Sequence, residues 1–156
     1  MGLWSNFRKK DTCNISNQGI SLIFEKGIDP DLRKKYIDFA KWLRKNYLFP
    51  VHLNVYILNK EKVTLLNGNL AYGSFRWFAK RNPHIKIPSL VNYSDYPELT
   101  KEEIFDSILS SLVHELTHYY QWLSKLNQND HSSEKQANYY RYSILDQYYQ
   151  SLKDNG

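Results

Sequence analysis

Apolar residues in "DPDLRKKYIDFAKWLRKNY" (29–47) fall at Leu32, Tyr36, Phe39, Leu43 and Tyr47, steps of three or four that lay one stripe along a helix. Asp29 is placed to cap that helix. Pro30 takes its first position, where a missing N–H costs nothing, and Pro50 forbids continuation. On either side of it the period drops to two. "VHLNVYIL" (51–58) alternates Val51, Leu53, Val55 and Ile57 with His52, Asn54 and Tyr56, and "GISLIFEKG" (19–27) reads as a strand stopped by glycine. "KVTLL" and "AYGSFRWF" are divided by Asn67-Gly68-Asn69, a hairpin turn. "HIKIPSLV" (84–91) predicts a further strand whose Pro88 end lies at a sheet edge or just beyond it.

Helical spacing then returns. Thr100 and Glu103 form a capping box, with Leu99 and Ile104 as the hydrophobic staple around it. Ile104, Ile108, Leu112, Leu116 and Leu123 mark the core face. After the polar turn "NQNDHS" a last helix is expected from near Ser133, with Gln136 as its capping partner, toward Leu152. The order predicts an α+β chain forming one domain over 1–156. Its small, mostly antiparallel sheet would pack against an N-terminal helix and two C-terminal ones. Residues 1–18 are polar and irregular, with Trp4 and Phe7 available for docking.

Composition narrows the setting. At 156 residues the chain can bury a real core, and thirteen Tyr with four Trp can fill it or line a cleft while keeping polar edges. The single cysteine, Cys13, excludes an internal disulfide framework and any cysteine-based zinc cluster. No signal-peptide pattern is present, and no apolar run approaches the roughly 20 residues that span a bilayer. Asn6 spoils a myristoylation signal at Gly2. These features predict a soluble cytoplasmic protein without a membrane partner. Net charge is +5, with clusters at Arg8-Lys9-Lys10 and Arg33-Lys34-Lys35. Solvated faces explain such clusters more simply than contact with nucleic acid or an acidic partner.

The chemistry concentrates in "SSLVHELTHYYQW" (110–122). His114 and His118, four apart on a helix, stand about 40° apart around its axis and one turn apart along it, so both imidazoles can reach one zinc ion. Glu115 lies beside that row, close enough to act on a water at the metal without joining the ligands. A third ligand is then required. Ser124 stands where a metzincin would carry its third histidine, which excludes that pattern. The candidates are Asp130, His131 and Glu134. Glu134 is preferred because it opens a helix, whereas Asp130 and His131 are expected in the turn, and rigid elements place ligands better.

His114, Glu115, His118 and a glutamate from the next helix resemble the gluzincin branch of the zincin metallopeptidases. The resemblance is specific over 100–142. It implies a minimal zincin-like fold, one Zn²⁺ per chain and a protein or peptide substrate. It also implies a residue four after the ligand glutamate that orients the first histidine; "EKQAN" puts Asn138 there, which can accept a hydrogen bond but supplies no charge. Zincins set an edge strand along the cleft, and "AYGSFRW" (71–77) is the candidate, with Tyr72, Gly73, Ser74 and Phe75 facing substrate and Gly73 admitting a second backbone. The expected function is zinc-dependent peptide hydrolysis through a metal-activated water, with Glu115 as general base, in a regulatory protease. The alternative is a catalytically silent binding module that uses its basic surface for nucleic acid or a protein. No tyrosine among Tyr119, Tyr139, Tyr140 and Tyr142 stands out from packing as an electrophile.

Overall fold

A computed structural model describes residues 2–9 and 19–155. Cys13 and Lys10 lie outside the described residues. Strand β1 (Ile20–Phe24) leads into helix α1 (Pro30–Asn46) and then β2 (Leu53–Leu58). Asp29 caps α1 as predicted, its carboxylate accepting from the Asp31 N–H at 2.8 Å. The whole predicted stripe, Leu32 through Tyr47, is buried.

The protein is α+β, but its sheet is not mostly antiparallel. The order is β1-β2-β6-β5, with β1–β2 and β2–β6 parallel and only β5 (Ser74–Arg76) antiparallel to β6 (His84–Pro88). A helix between β1 and β2 carries the chain back to the end at which β1 began, which forces neighbouring strands to run the same way. The predicted hairpin does form, as β3 (Val63–Thr64) against β4 (Leu70–Ala71), but it pairs only with itself. The Asn69 N–H donates to the Asn67 side chain at 2.9 Å across its turn, and Gly68 supplies the positive φ of 87°. Pro88 ends β6 beyond the last residue paired with β5, so no ladder bond on that side is lost.

Helix α2 (Lys101–Leu123) starts with both hydrogen bonds of the capping box, 3.1 Å into Thr100 Oγ1 and 3.0 Å into Glu103 Oε1. Helix α3 (Asp130–Asn155) begins three residues earlier than predicted. Asn129 caps it, accepting from the Ser132 N–H at 2.8 Å, and Gln136 has a different partner. "NDHSS" offers several good N-cap residues in succession, and spacing alone does not choose between them. Residues 2–9, the described part of the N-terminal segment, dock through Trp4. Trp4 in a 3-10 turn (Trp4–Phe7) is fully buried, meets the rings of Tyr47 and Tyr120 edge-on, and donates from its indole N–H to Thr117 Oγ1 at 3.0 Å. The helix that carries His114 and His118 is thus held from behind. No helix among the described residues is long and apolar enough to cross a membrane.

Candidate metal centre

Helix α2 buries Leu112, Val113 and Leu116 in the core and turns His114, Glu115 and His118 toward a cleft of about 1020 Å³. Each of these three brings a ligand atom within 4.8 Å of the others. The two imidazole Nε2 atoms are 3.3 Å apart. Glu134, in the second turn of α3, closes on both: its carboxylate oxygens lie 3.0 Å from His114 Nε2 and 2.8 Å from His118 Nε2. Ligands 2.0–2.1 Å from a tetrahedral zinc stand roughly 3.3 Å apart, so these donors already have nearly the required spacing.

Protonation supports the fit. His118 Nδ1 lies 2.8 Å from Gln121 Oε1, an acceptor held in turn by the Ser133 hydroxyl at 2.8 Å. Gln121 is itself fixed, its amide donating to the Ser133 carbonyl at 3.0 Å and to Gln136 Oε1 at 2.8 Å. That contact favours the Nδ1–H tautomer of His118 and turns its Nε2 toward Glu134. Two ring nitrogens and a carboxylate converging on one point could hold a cation between them. Burial lowers the proton affinity of His114, and the charges of His118 and Arg141 lower it further against the pull of Glu134. A neutral imidazole is the ligand form.

Glu115 differs from Glu134 in burial and in partners. It is 6% exposed, and its Oε2 has no hydrogen-bond partner. Burial pushes its pKa up to about 8, the Glu134 charge adds to this, and Arg141 opposes it. Glu134 is more than half exposed. One carboxylate is therefore suited to proton transfer and the other to holding charge.

Of the predicted edge strand 71–77, only Ser74–Arg76 pairs as β5; Ala71 belongs to β4, and Tyr72 and Gly73 lie between the two. β5 is the outermost strand, and Tyr72, Gly73, Ser74 and Phe75 line the same cleft as the histidines. Gly73 serves a different purpose from the one expected: a Cβ there would stand 3.1 Å from Glu115 Cγ and 3.3 Å from Ile87 Cδ1, so the room it leaves is taken by Glu115. Phe75 and Trp77 flank Trp122 with ring centroids 6.0 and 6.4 Å away, making one aromatic wall.

Three expectations are corrected. Asn138 is exposed and among the described residues His114 Nδ1 has no hydrogen-bond partner, so Asn138 does not orient that histidine. Asp130 and His131 belong to the first turn of α3 rather than the loop before it; Asp130 lines the cleft and His131 is exposed away from it. Of the tyrosines, Tyr119 packs in the core, whereas Tyr139 and Tyr142 are exposed. Sequence reasoning missed Gln121 and Arg141. Both carried a signal: Gln121 is three residues after His118, and Arg141 is two helical turns after Glu134 on the same face. The Arg141 guanidinium reaches Ser111 Oγ at 3.4 Å and leaves its buried Nε without a partner.

No family model matches the chain, and comparisons with curated proteins and with solved structures give no significant match.

Proposed function

We propose that this protein is a zinc-dependent peptidase in which His114, His118 and Glu134 hold the metal and Glu115 is the general base. One observation carries the reading: two Nε2 atoms and a carboxylate from a second helix meet within 3.3 Å, beside a buried carboxyl group with an unpartnered oxygen. Zinc held there supplies Lewis acidity toward a peptide carbonyl and toward a water. Glu115 accepts the proton of the attacking water on its open oxygen and returns it to the leaving amine. Its raised proton affinity suits it to both transfers. Arg141 offers N–H donors at the cleft wall to a carbonyl oxygen gaining charge. The outer edge of β5 offers backbone groups for pairing with an extended substrate, and the Trp77–Trp122 wall takes an apolar side chain. The lone cysteine suits a reducing, cytoplasmic setting.

The test is a set of three variants, assayed for zinc content and for hydrolysis of a mixed peptide library. Glu115→Gln should retain zinc and lose at least the roughly 10²–10⁴-fold that general acid–base catalysis contributes. Glu134→Ala should lose zinc and activity together, and His131→Ala should lose neither. Full activity in Glu115→Gln rejects the mechanism. Zinc binding that depends on His131 and not on Glu134 rejects the ligand set.

A further inference from the structure

The helices cover one face of the sheet: α1 packs on β1, and α2 on β5 and β6. Val55, Ile57, Ile85 and Ile87 on that side are fully buried. The opposite face is open, and register shows what it carries. Asn54, His84 and Arg76 form one row across β2, β6 and β5, while Tyr56, Lys86 and Ser74 form the next. Arg76 and Lys86 are exposed, and Tyr56 and His84 are half-buried with their rings edge to face at 5.7 Å. The turn after β5 adds Lys80 and Arg81, both exposed, and the Arg76 and Arg81 guanidinium groups lie over the Phe78 ring at 4.8 and 3.9 Å.

No Asp or Glu occurs from Lys62 to Ser94, and among the described residues none of Arg76, Lys80, Arg81 and Lys86 forms an ion pair. Among the described residues the only carboxylate in register on this face is Glu25, beyond the end of β1, and one of its oxygens accepts from the Asn59 N–H at 2.7 Å. The clusters picked out by sequence are different. Lys9 donates to the Arg44 carbonyl, and Lys34 and Lys35 pair with Asp38 and Glu102. Between the β3–β4 hairpin and the open face is a hollow of about 330 Å³ lined by Asn67, Arg76, His84 and Lys86. That is the size at which small-ligand sites begin, roughly 300 Å³.

We propose that this open face binds single-stranded nucleic acid, with Arg76, Lys80, Arg81 and Lys86 on the phosphates and the rings of Tyr56 and His84 stacking on bases. Unpaired cations interleaved with accessible rings on a flat surface are what an unstacked strand requires. Duplex DNA is a poorer match, because no helix projects from this face into a groove. An acidic peptide would satisfy the cations and leave the rings unused. The proposal does not depend on the metal centre, which lies across the β5 edge on the helical side.

Fluorescence anisotropy of labelled oligothymidylate and oligouridylate, each about 16 nucleotides long, tests it. At least one of the two should bind more tightly than a duplex of equal length, and whichever binds better tells DNA from RNA. Four phosphate contacts predict a loss of about 50-fold in affinity between 50 and 200 mM salt. Arg76→Glu with Lys86→Glu should cost at least tenfold and flatten the salt dependence. Lys41→Glu with Lys45→Glu changes net charge equally on α1 and should leave binding within twofold. Tyr56→Leu should weaken binding without altering the salt slope. Melting temperatures within a few degrees of the parent, which the exposed positions of the charge variants predict and which the half-buried Tyr56→Leu is also required to show, establish that the variants fold. The proposal is overturned by no binding at 50 mM salt, by equal loss in the α1 variant, or by oligoglutamate competing as well as the oligonucleotide does.

Discussion

Gly73 faces Glu115 closely: a Cβ on this glycine, one residue before β5, would stand 3.1 Å from the Cγ of the buried glutamate. The backbone that borders the cleft therefore also sets where the proposed base can lie. Gly73 has no positive φ, so alanine is allowed there by the backbone and opposed by this contact first and by Ile87 Cδ1 at 3.3 Å second. Gly73→Ala should push Glu115 by a few tenths of an ångström. Since a misplacement of about 1 Å can cost 10²-fold, roughly a tenfold fall in kcat is expected. Zinc content should not change. A variant with full kcat, or one that loses metal, contradicts this relationship.

The His118 contact gives a paired prediction. Gln121 faces Nδ1 at 2.8 Å and is tied to Ser133 and Gln136, so Gln121→Ala removes the nearer partner of the ring and leaves only the Ser133 hydroxyl at 3.3 Å, which can donate as well as accept and so no longer sets the tautomer. Loss of such an outer partner typically weakens metal affinity by roughly 10–100-fold. Asn138→Ala, on the exposed side of α3, should leave affinity within a factor of two. Competition titration against a chromophoric chelator compares the two directly, and equal effects would show that Gln121 has no special role.

Much of this was legible in the sequence because short-range periodicity carries it. The α1 stripe, the Thr100–Glu103 capping box and the four-residue spacing of His114 and His118 are all local relations, and each appears as read. Glu134 required one long-range guess, that a short turn returns α3 to α2, and it lies beside both histidines. Strand direction was not local. Whether β2 pairs with β1 in parallel depends on α1 packing back across the sheet, which alternation of Val51 to Ile57 does not encode. The role of Gly73 was misread for the same reason: a glycine shows that something approaches closely but not what does. Gln121 was overlooked because a polar residue on an aromatic-rich helix looks solvent-facing until the second helix supplies Ser133 and Gln136.

Trp4 links the N-terminal segment to the histidine helix. Its ring is 1% exposed, touches Tyr47 and Tyr120, and its N–H satisfies Thr117, whose hydroxyl also bonds the Val113 carbonyl at 2.9 Å. Trp4→Ala removes a large buried side chain and should destabilise the fold by about 3–5 kcal/mol. Trp4→Phe keeps most of the area but drops the hydrogen bond, and should cost less. Urea unfolding measures both, and a Trp4→Ala loss below about 1 kcal/mol would mean the segment is not docked in solution.

His84 reports on the cations of the open sheet face. Burial lowers its pKa below the ordinary 6.5, and the charges of Lys86, Arg76 and Arg81 lower it further. The rings of Tyr56 and Phe78 complete its surroundings. The sign for stability follows from linkage. With the folded pKa depressed, the unfolded chain binds more protons between the folded value and about 6.5, so stability falls as pH drops through that window and is unaffected above it. His84→Gln should remove this component and flatten the melting temperature between pH 7 and the lower end of the window. Imidazole NMR chemical shifts should place the His84 midpoint below 6.5 in the wild-type protein. Arg76→Glu should raise it, because the substitution removes a repelling charge and adds an attracting one. A wild-type midpoint at or above 6.5, or no movement in Arg76→Glu, would show that these cations do not act on His84 in solution.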